Sequence, residues 1–449
     1  MKLTISQPEL AEALTTAKCA VSAKPTHPIL GTLLLSCNSK TNRLNITAFD
    51  LSFGIHTQCD CDVENEGTVA LPAKLLTEIV SSLPPNEITL NVENEIAVIT
   101  HSNGECRILG MDSQEYPELP EPIGTTIKIP AAKLKSAIES TLFAASREET
   151  KQVLAGVHFK FSPTTWEAAA TDGHRLAVAS GTIDSTEDIA SEAAINVPYQ
   201  ALIELEKILS NVLETSDCTI NIDNGIAVFN LPNIRVISRL IEGEYPKYSS
   251  LIPQYFQHEF ATGRKAFDGA LKRVGIIADK KDKIVKIEFD NTNLQATIST
   301  ESQDVGSATE SVVIKSENSS QNFEIGFNIK YLNDALKFIS TDEVMIKANK
   351  PTSPVIINPV GGILNQLILV MPVQIISTQS KESTQETTEA STEESKNTIP
   401  ANETITAESD YNTLSDNSSD IEPEVTVITK TGADVTTKTR GRKKKLQVA

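Results

Sequence analysis

The chain has 449 residues, room for roughly two to four domains with cores of their own, and a formal net charge of −19. An average so acidic excludes a surface built throughout for phosphate, because unspecific affinity for nucleic acid comes from Lys and Arg. No N-terminal apolar run has the form of a signal peptide and none reaches the roughly 18 residues that cross a bilayer, so a cytoplasmic protein is expected.

In chain order, residues 8–21 carry apolar side chains at helical spacing and predict an amphipathic helix. The segment Lys24-Pro25-Thr26-His27-Pro28-Ile29-Leu30 follows, then an alternating strand over 44–50. Five of the six cysteines (Cys19, Cys37, Cys59, Cys61, Cys106, Cys218) fall in the first quarter; none makes a CxxC pair or ligand spacing with a histidine, so all read as reduced thiols and no metal is expected. A helix is predicted over 71–83 with Pro72 at its start, a hairpin turn at Asn103-Gly104, and a Glu115-Tyr116-Pro117 motif closes the stretch.

The pattern then recurs. A helix is predicted over 131–147 (Leu134, Ile138, Leu142), and a strand over 165–172 runs into Thr171-Asp172-Gly173, a turn signal, before Leu176-Ala177-Val178 resumes an extended run. A helix over 197–209 again has proline at its start, Asp223-Asn224-Gly225 marks a turn, and Glu244-Tyr245-Pro246 answers the earlier motif 129 residues on. A third round has a helix over 264–277 (Phe267, Leu271, Val274), a strand over 294–300 and a helix over 328–339. Leu10 to Leu134 is 124 residues and Leu134 to Phe267 is 133, so the chain is a threefold repeat. The expected domains are 1–125, 126–256 and 257–376, with a tail over 377–449.

Thr171-Asp172-Gly173-His174-Arg175-Leu176-Ala177, the Tyr-Pro motifs, Lys24–Leu30 and the ending Val370-Met371-Pro372-Val373-Gln374-Ile375, in register on that repeat, resemble the bacterial DNA polymerase III β subunit, the replicative sliding clamps. The resemblance implies an α+β fold of three similar clamp domains, each two helices packed on antiparallel sheet, closing a ring as a head-to-tail dimer around duplex DNA. It implies a processivity factor, not an enzyme, with no cofactor, that tethers the DNA polymerase III catalytic subunit, an ATP-dependent clamp loader and repair proteins. No GxxxxGK[ST] loop is present to cradle a nucleotide, so ring opening falls to a separate loader.

Carried over by position, the resemblance places a peptide-binding groove at Leu154, Thr171, Gly173, His174, Arg175, Leu176, Pro246, Leu251, Val370, Met371, Pro372 and Val373. Gln374 and Ser250 depart from the charged residues usual at its rim. It puts DNA contacts at Lys24 and Lys74 and a dimer joint at Cys106 and Ile108 against Ile276 and Ile277. The charge pattern adds Arg147, Arg264, Lys265, Lys272 and Arg273, since residues 8–24, 131–147 and 264–277 together carry +5 in an acidic chain. No zinc finger, basic zipper or recognition helix reads bases, as suits a sequence-independent clamp.

Two other classes compete with this reading. A hydrolase would use Asp172 and His174 with Ser180 as nucleophile, and a structural protein would have no DNA role. The tail, Ser377 to Ala449, has an opening rich in Ser, Thr and Glu and is expected to be disordered, either as a solubilising tail or with its basic end, Arg440, Arg442, Lys443, Lys444 and Lys445, touching DNA or a partner.

Overall fold

Each helix begins where a strand is cut short and turned into it. Pro72, Pro130 and Pro198 end strands and stand immediately before helices α2 (Ala73–Ser82), α3 (Ala131–Thr141) and α4 (Tyr199–Asn211), their fixed φ near −60° serving both conformations. Helix α1 (Gln7–Lys18) carries proline in its first turn, α5 (Arg264–Val274) follows Gly263, and α6 (Ile329–Lys337) is capped by the Asn328 side chain, which accepts from the Lys330 N–H at 3.0 Å. The computed structural model describes residues 1–375 except 184–191, 214, 279–282, 303, 319–320 and 363; the predicted tail, 377–449, lies outside the described residues.

The helix predicted over 131–147 stops at Thr141, where Ser140 and Thr141 turn their hydroxyls back onto the carbonyls of Ser136 and Ala137 and a 3-10 turn, Leu142–Ala144, follows. The predicted hairpin forms as strands Thr165–Thr171 and Arg175–Thr182, with Thr171 opposite Leu176. All six cysteines are free. No described helix is long and apolar enough to cross a membrane.

The strands form antiparallel sheets of five, eight and twelve, and the larger two cross from one repeat to the next. Strand Ile234–Arg239 pairs with Phe53–Asp60, placing Ile237 opposite Gly54, and Arg175–Thr182 pairs with Asn365–Val370, placing Leu176 opposite Leu369. The helices pack in pairs, α1 on α2, α3 on α4 and α5 on α6, over one face of the sheets, and the main core lies between. Successive strand residues point to opposite faces. Ala177 and Ala179 therefore enter the helix-side core while Leu176 and Val178 join a separate apolar cluster on the outer face.

A candidate peptide groove and a basic helix face

The outer cluster is organised by the turn after Thr171. Asp172 Oδ1 accepts from the backbone N–H of His174 (2.9 Å) and Arg175 (3.0 Å), Thr171 Oγ1 donates to the Arg175 carbonyl at 2.6 Å, and Gly173 takes the left-handed conformation at φ +92°. The hairpin is then fixed to the last strand, with the Met371 N–H donating to the His174 carbonyl at 2.9 Å. Leu176, Ala169, Leu369, Tyr245 and Tyr248 make the floor, and Val153, Leu154, Val178, Ile252 and Leu367 the half-buried walls. Pro246, Leu251, His174 and Met371 are exposed and Pro372 half-buried at positions next to it in the chain, while half-buried Val373 is bridged to Gly326, its N–H donating to that carbonyl at 2.8 Å.

Buried His158 stacks on the Tyr245 ring, centroids 4.7 Å apart, and meets Tyr248 edge-on. Burial holds the His158 imidazole below its ordinary value and pushes both tyrosine hydroxyls up; the Lys160–Glu167 pair borders them, with Lys160 Nζ 3.0 Å from the Tyr248 hydroxyl and the hydroxyl donating to Glu167.

Two expected groove residues face elsewhere. Arg175 is only 7% exposed and lies on the helix side: Nε reaches Asp172 Oδ2 at 3.1 Å, Nη1 reaches Asp334 Oδ2 at 2.5 Å, and Nη2 reaches the Phe143 carbonyl at 2.6 Å. Its guanidinium also lies over the Phe143 and Tyr331 rings, 5.4 and 5.1 Å from their centroids. Val370, directly opposite Arg175 in the ladder, shares that face and is fully buried in the main core. Both hold the second and third repeats together from behind the groove. Tyr245, Tyr248, Val153, Val178, Ile252, Leu367 and Leu369 were not predicted; the Tyr-Pro repeat and the alternation on the hairpin were their signals.

The hydrolase constellation does not assemble. Asp172 is engaged in its turn, the exposed His174 stacks on Tyr331, and Ser180 lies six residues along the strand, roughly 20 Å away at about 3.3 Å per residue. Its hydroxyl accepts from Asn365 Nδ2 at 3.1 Å, and no base stands beside it among the described contacts.

The basic residues expected on the helix side divide into two sets. Lys24, Lys74 and Lys265 are exposed, Lys74 lying 4.0 Å from Glu78 and Lys265 3.6 Å from Asp342. Exposed ion pairs of this kind contribute about 0–1 kcal/mol, so either lysine can exchange its partner for a phosphate. Lys272 is paired with Asp268 at 2.6 Å, and Arg147 lies over Tyr199 with Nη2 at 2.5 Å from the phenol oxygen. Arg264 and Arg273 are held differently. Half-buried Arg264 donates to the Thr341 and Leu336 carbonyls near the end of α6, whereas Arg273, 61% exposed, makes a forked surface pair with Glu310.

Of the residues expected at a dimer joint, Ile276 is exposed and Cys106 and Ile277 are half-buried, but Ile108 points inward and is 1% exposed. On that strand, Gly104–Leu109, the exposed apolar side chain is Leu109, whose opposite parity sequence position alone did not reveal. Gly104–Leu109 is the outer strand of the five-stranded sheet, and strand Gly306–Asn318 pairs only with Gln295–Ser302 over its first part, leaving a second open edge.

The outer-face arrangement is repeated between the first and second repeats. Asp50 Oδ1 accepts from Ser52 and Phe53 N–H groups, Tyr116 takes the place of Tyr245, and Leu51 stands where Gly173 does, at φ +78°. An L-residue there is strained by about 1–2 kcal/mol, partly offset in a glycine variant by about 0.5–1 kcal/mol of chain entropy. Leu51→Gly is expected to raise stability by about 0.5–1 kcal/mol, read as a shifted urea midpoint; a lowered midpoint would show that the half-exposed leucine contributes packing that outweighs its strain.

Comparison with known proteins agrees along the whole described chain. The family models described as DNA polymerase III beta subunit match as N-terminal domain over residues 1–120, central domain over 128–247 and C-terminal domain over 249–373. The chain is 38% identical over 394 residues to the beta sliding clamp of Synechocystis sp. and 39% identical over 381 residues to that of Synechococcus elongatus, covering 84% of this chain and 100% of each relative. The solved sliding clamp of Bacillus subtilis is 29% identical with a TM-score of 0.78, again covering 84% of this chain and all of that one.

Proposed function

The chain belongs to the bacterial DNA polymerase III beta subunit family, and from that premise we propose how its residues carry out the work of a DNA sliding clamp. It is a non-catalytic processivity factor that partners DNA and polymerase. Two copies would close head to tail, each contributing domains 1–125, 126–256 and 257–376, so that six helix pairs line a hole. Lys24, Lys74, Lys265 and Lys272 are the residues proposed to meet DNA phosphates there, because all four are exposed and the partners of the last three are exchangeable. Contacts to backbone alone carry no sequence information, which permits sliding. Lacking a nucleotide-binding loop, the ring would be opened by an ATP-dependent loader.

The observation that carries the partner-binding part is the outer-face apolar cluster, which includes Leu176, Leu369, Tyr245, Tyr248 and half-buried Leu154, with the exposed and adaptable Met371 just past the last strand. Methionine repacks around different guests, so one socket can serve the polymerase, the loader and repair proteins in turn. A labelled peptide of Gln-x-x-Leu-Phe type is expected to bind. Truncating Leu154 and Met371 together to alanine should weaken it by at least tenfold, given about 0.8 kcal/mol per buried methylene lost. Fluorescence polarisation measures this; equal affinity in the double variant places the peptide elsewhere.

A further inference from the structure

The helix sides of the two junctions within the chain differ in what fills them. Counting from Leu10 and Leu134, buried at equivalent places in α1 and α3, Cys19 corresponds to Phe143. Counting from Leu202 and Leu332 in α4 and α6, Glu204 corresponds to Asp334 and Ile208 to Phe338; from the Asp50 and Asp172 turns, Phe53 corresponds to Arg175. At the second junction Phe143 and Phe338 stack with centroids 4.8 Å apart, and the Arg175 guanidinium lies over Phe143 with Nη1 on Asp334. The first junction has neither the two rings nor the guanidinium. It has a cleft of about 610 Å³ instead, between α1 and α4.

The cleft keeps the acceptor half of the missing arrangement. Its lining carries the carboxylates of Glu9, Glu12, Asp60 and Glu204 and a single cation, Lys207, over a floor that includes Ala13, Cys59 and Ile208. Asp60 is paired from outside with Arg43 at 3.2 Å. Glu204 has Lys207 three residues on, at 2.9 Å, but that lysine is 62% exposed, and such a pair contributes a few tenths of a kcal/mol. Burial, together with the hydrogen bond to Glu204, pushes the Cys19 thiol up to about 11, so it is a neutral wall at physiological pH and adds no competing charge. A flat, weakly hydrated cation suits such a place better than an ammonium, because it forks onto a carboxylate while its faces rest on apolar atoms.

We propose that this cleft is a binding site for a guanidinium or amidinium group on a small apolar body, held by Glu204 as Asp334 holds Arg175. The group is supplied by a free small molecule or by an arginine side chain of a partner. This site lies apart from the peptide groove and does not depend on it.

Benzamidine, its neutral isostere benzamide and the blocked tripeptide Gly-Arg-Gly are titrated into the full-length protein, with binding read by ligand-observed NMR and calorimetry. Benzamidine is expected to saturate one site per chain and benzamide is not. Glu204→Gln, nearly isosteric, should weaken benzamidine by about tenfold or more through loss of the charged acceptor. Cys19→Phe, which restores the ring present at the other junction, should abolish it while groove peptide binding is unchanged. Tripeptide binding at comparable strength assigns the site to a partner's arginine; benzamidine binding alone assigns it to a free molecule. Equal binding of benzamide, no saturation by benzamidine, or undiminished binding in a folded Glu204→Gln protein overturns the proposal.

Discussion

Arg175→Ala is expected to cost about 3–5 kcal/mol of stability, the range for removing one partner of a buried ion pair. The guanidinium satisfies two carboxylates and a carbonyl from three separate parts of the chain, Asp172, Asp334 and Phe143, and lies over two aromatic rings. Alanine removes every donor at once. Asp172 keeps its two backbone N–H partners and Asp334 is partly open to water, which sets the loss toward the lower end of the range. Arg175→Met retains most of the packing and should recover only part, because the two carboxylates still lack their cation. The chain's single tryptophan, Trp166, is buried one strand away and reports unfolding by fluorescence during urea titration. A loss below about 1 kcal/mol, the level of an exposed pair, would mean that the junction is held by the strand ladder and apolar burial alone.

This residue also marks where reading from sequence stops. The hairpin at 165–178 was legible because period-two alternation and Asp-Gly turn chemistry are local signals, and the threefold repeat was legible because it is periodic. Which face Arg175 or Val370 takes was implied by the same alternation, since each neighbours a residue of the outer cluster. Asp334, 159 residues from Arg175, was not, and neither was the stacking of Phe143 on Phe338. The basic count on the helices has the same limit at Arg264 and Arg273: their acceptors, Leu336, Thr341 and Glu310, come from later segments, and composition does not show which charges have partners. Lys74 and Lys272 have partners four residues away, and the Lys265 partner, Asp342, lies wholly at the surface.

Leu109→Asp combined with Ile276→Asp is expected to convert the proposed ring into monomers. The two open strand edges, Gly104–Leu109 and the first part of Gly306–Asn318, have unpaired backbone groups that a second copy could complete by strand addition. Leu109, 74% exposed, lies on the first edge; Ile276, 79% exposed, follows α5, which packs on the second strand, and that strand carries its own exposed Val313 at 73%. Being exposed, Leu109 and Ile276 can be changed within about 0.5 kcal/mol of the monomer's stability, so a loss of assembly is not confused with unfolding. If both are buried at a joint, each joint loses about 1.5–3 kcal/mol per side chain, before the cost of desolvating two carboxylates. A ring has two joints, so the dimer should weaken by at least about a thousandfold, which native mass spectrometry at micromolar concentration resolves. The functional reading follows from topology. Wild-type protein loaded on a nicked circle should stay bound until the circle is cut, whereas the double variant should leave at once from either form. Retention of an undiminished dimer would remove these edges from the joint; a wild-type chain that leaves closed circles as fast as linear DNA would remove the ring itself.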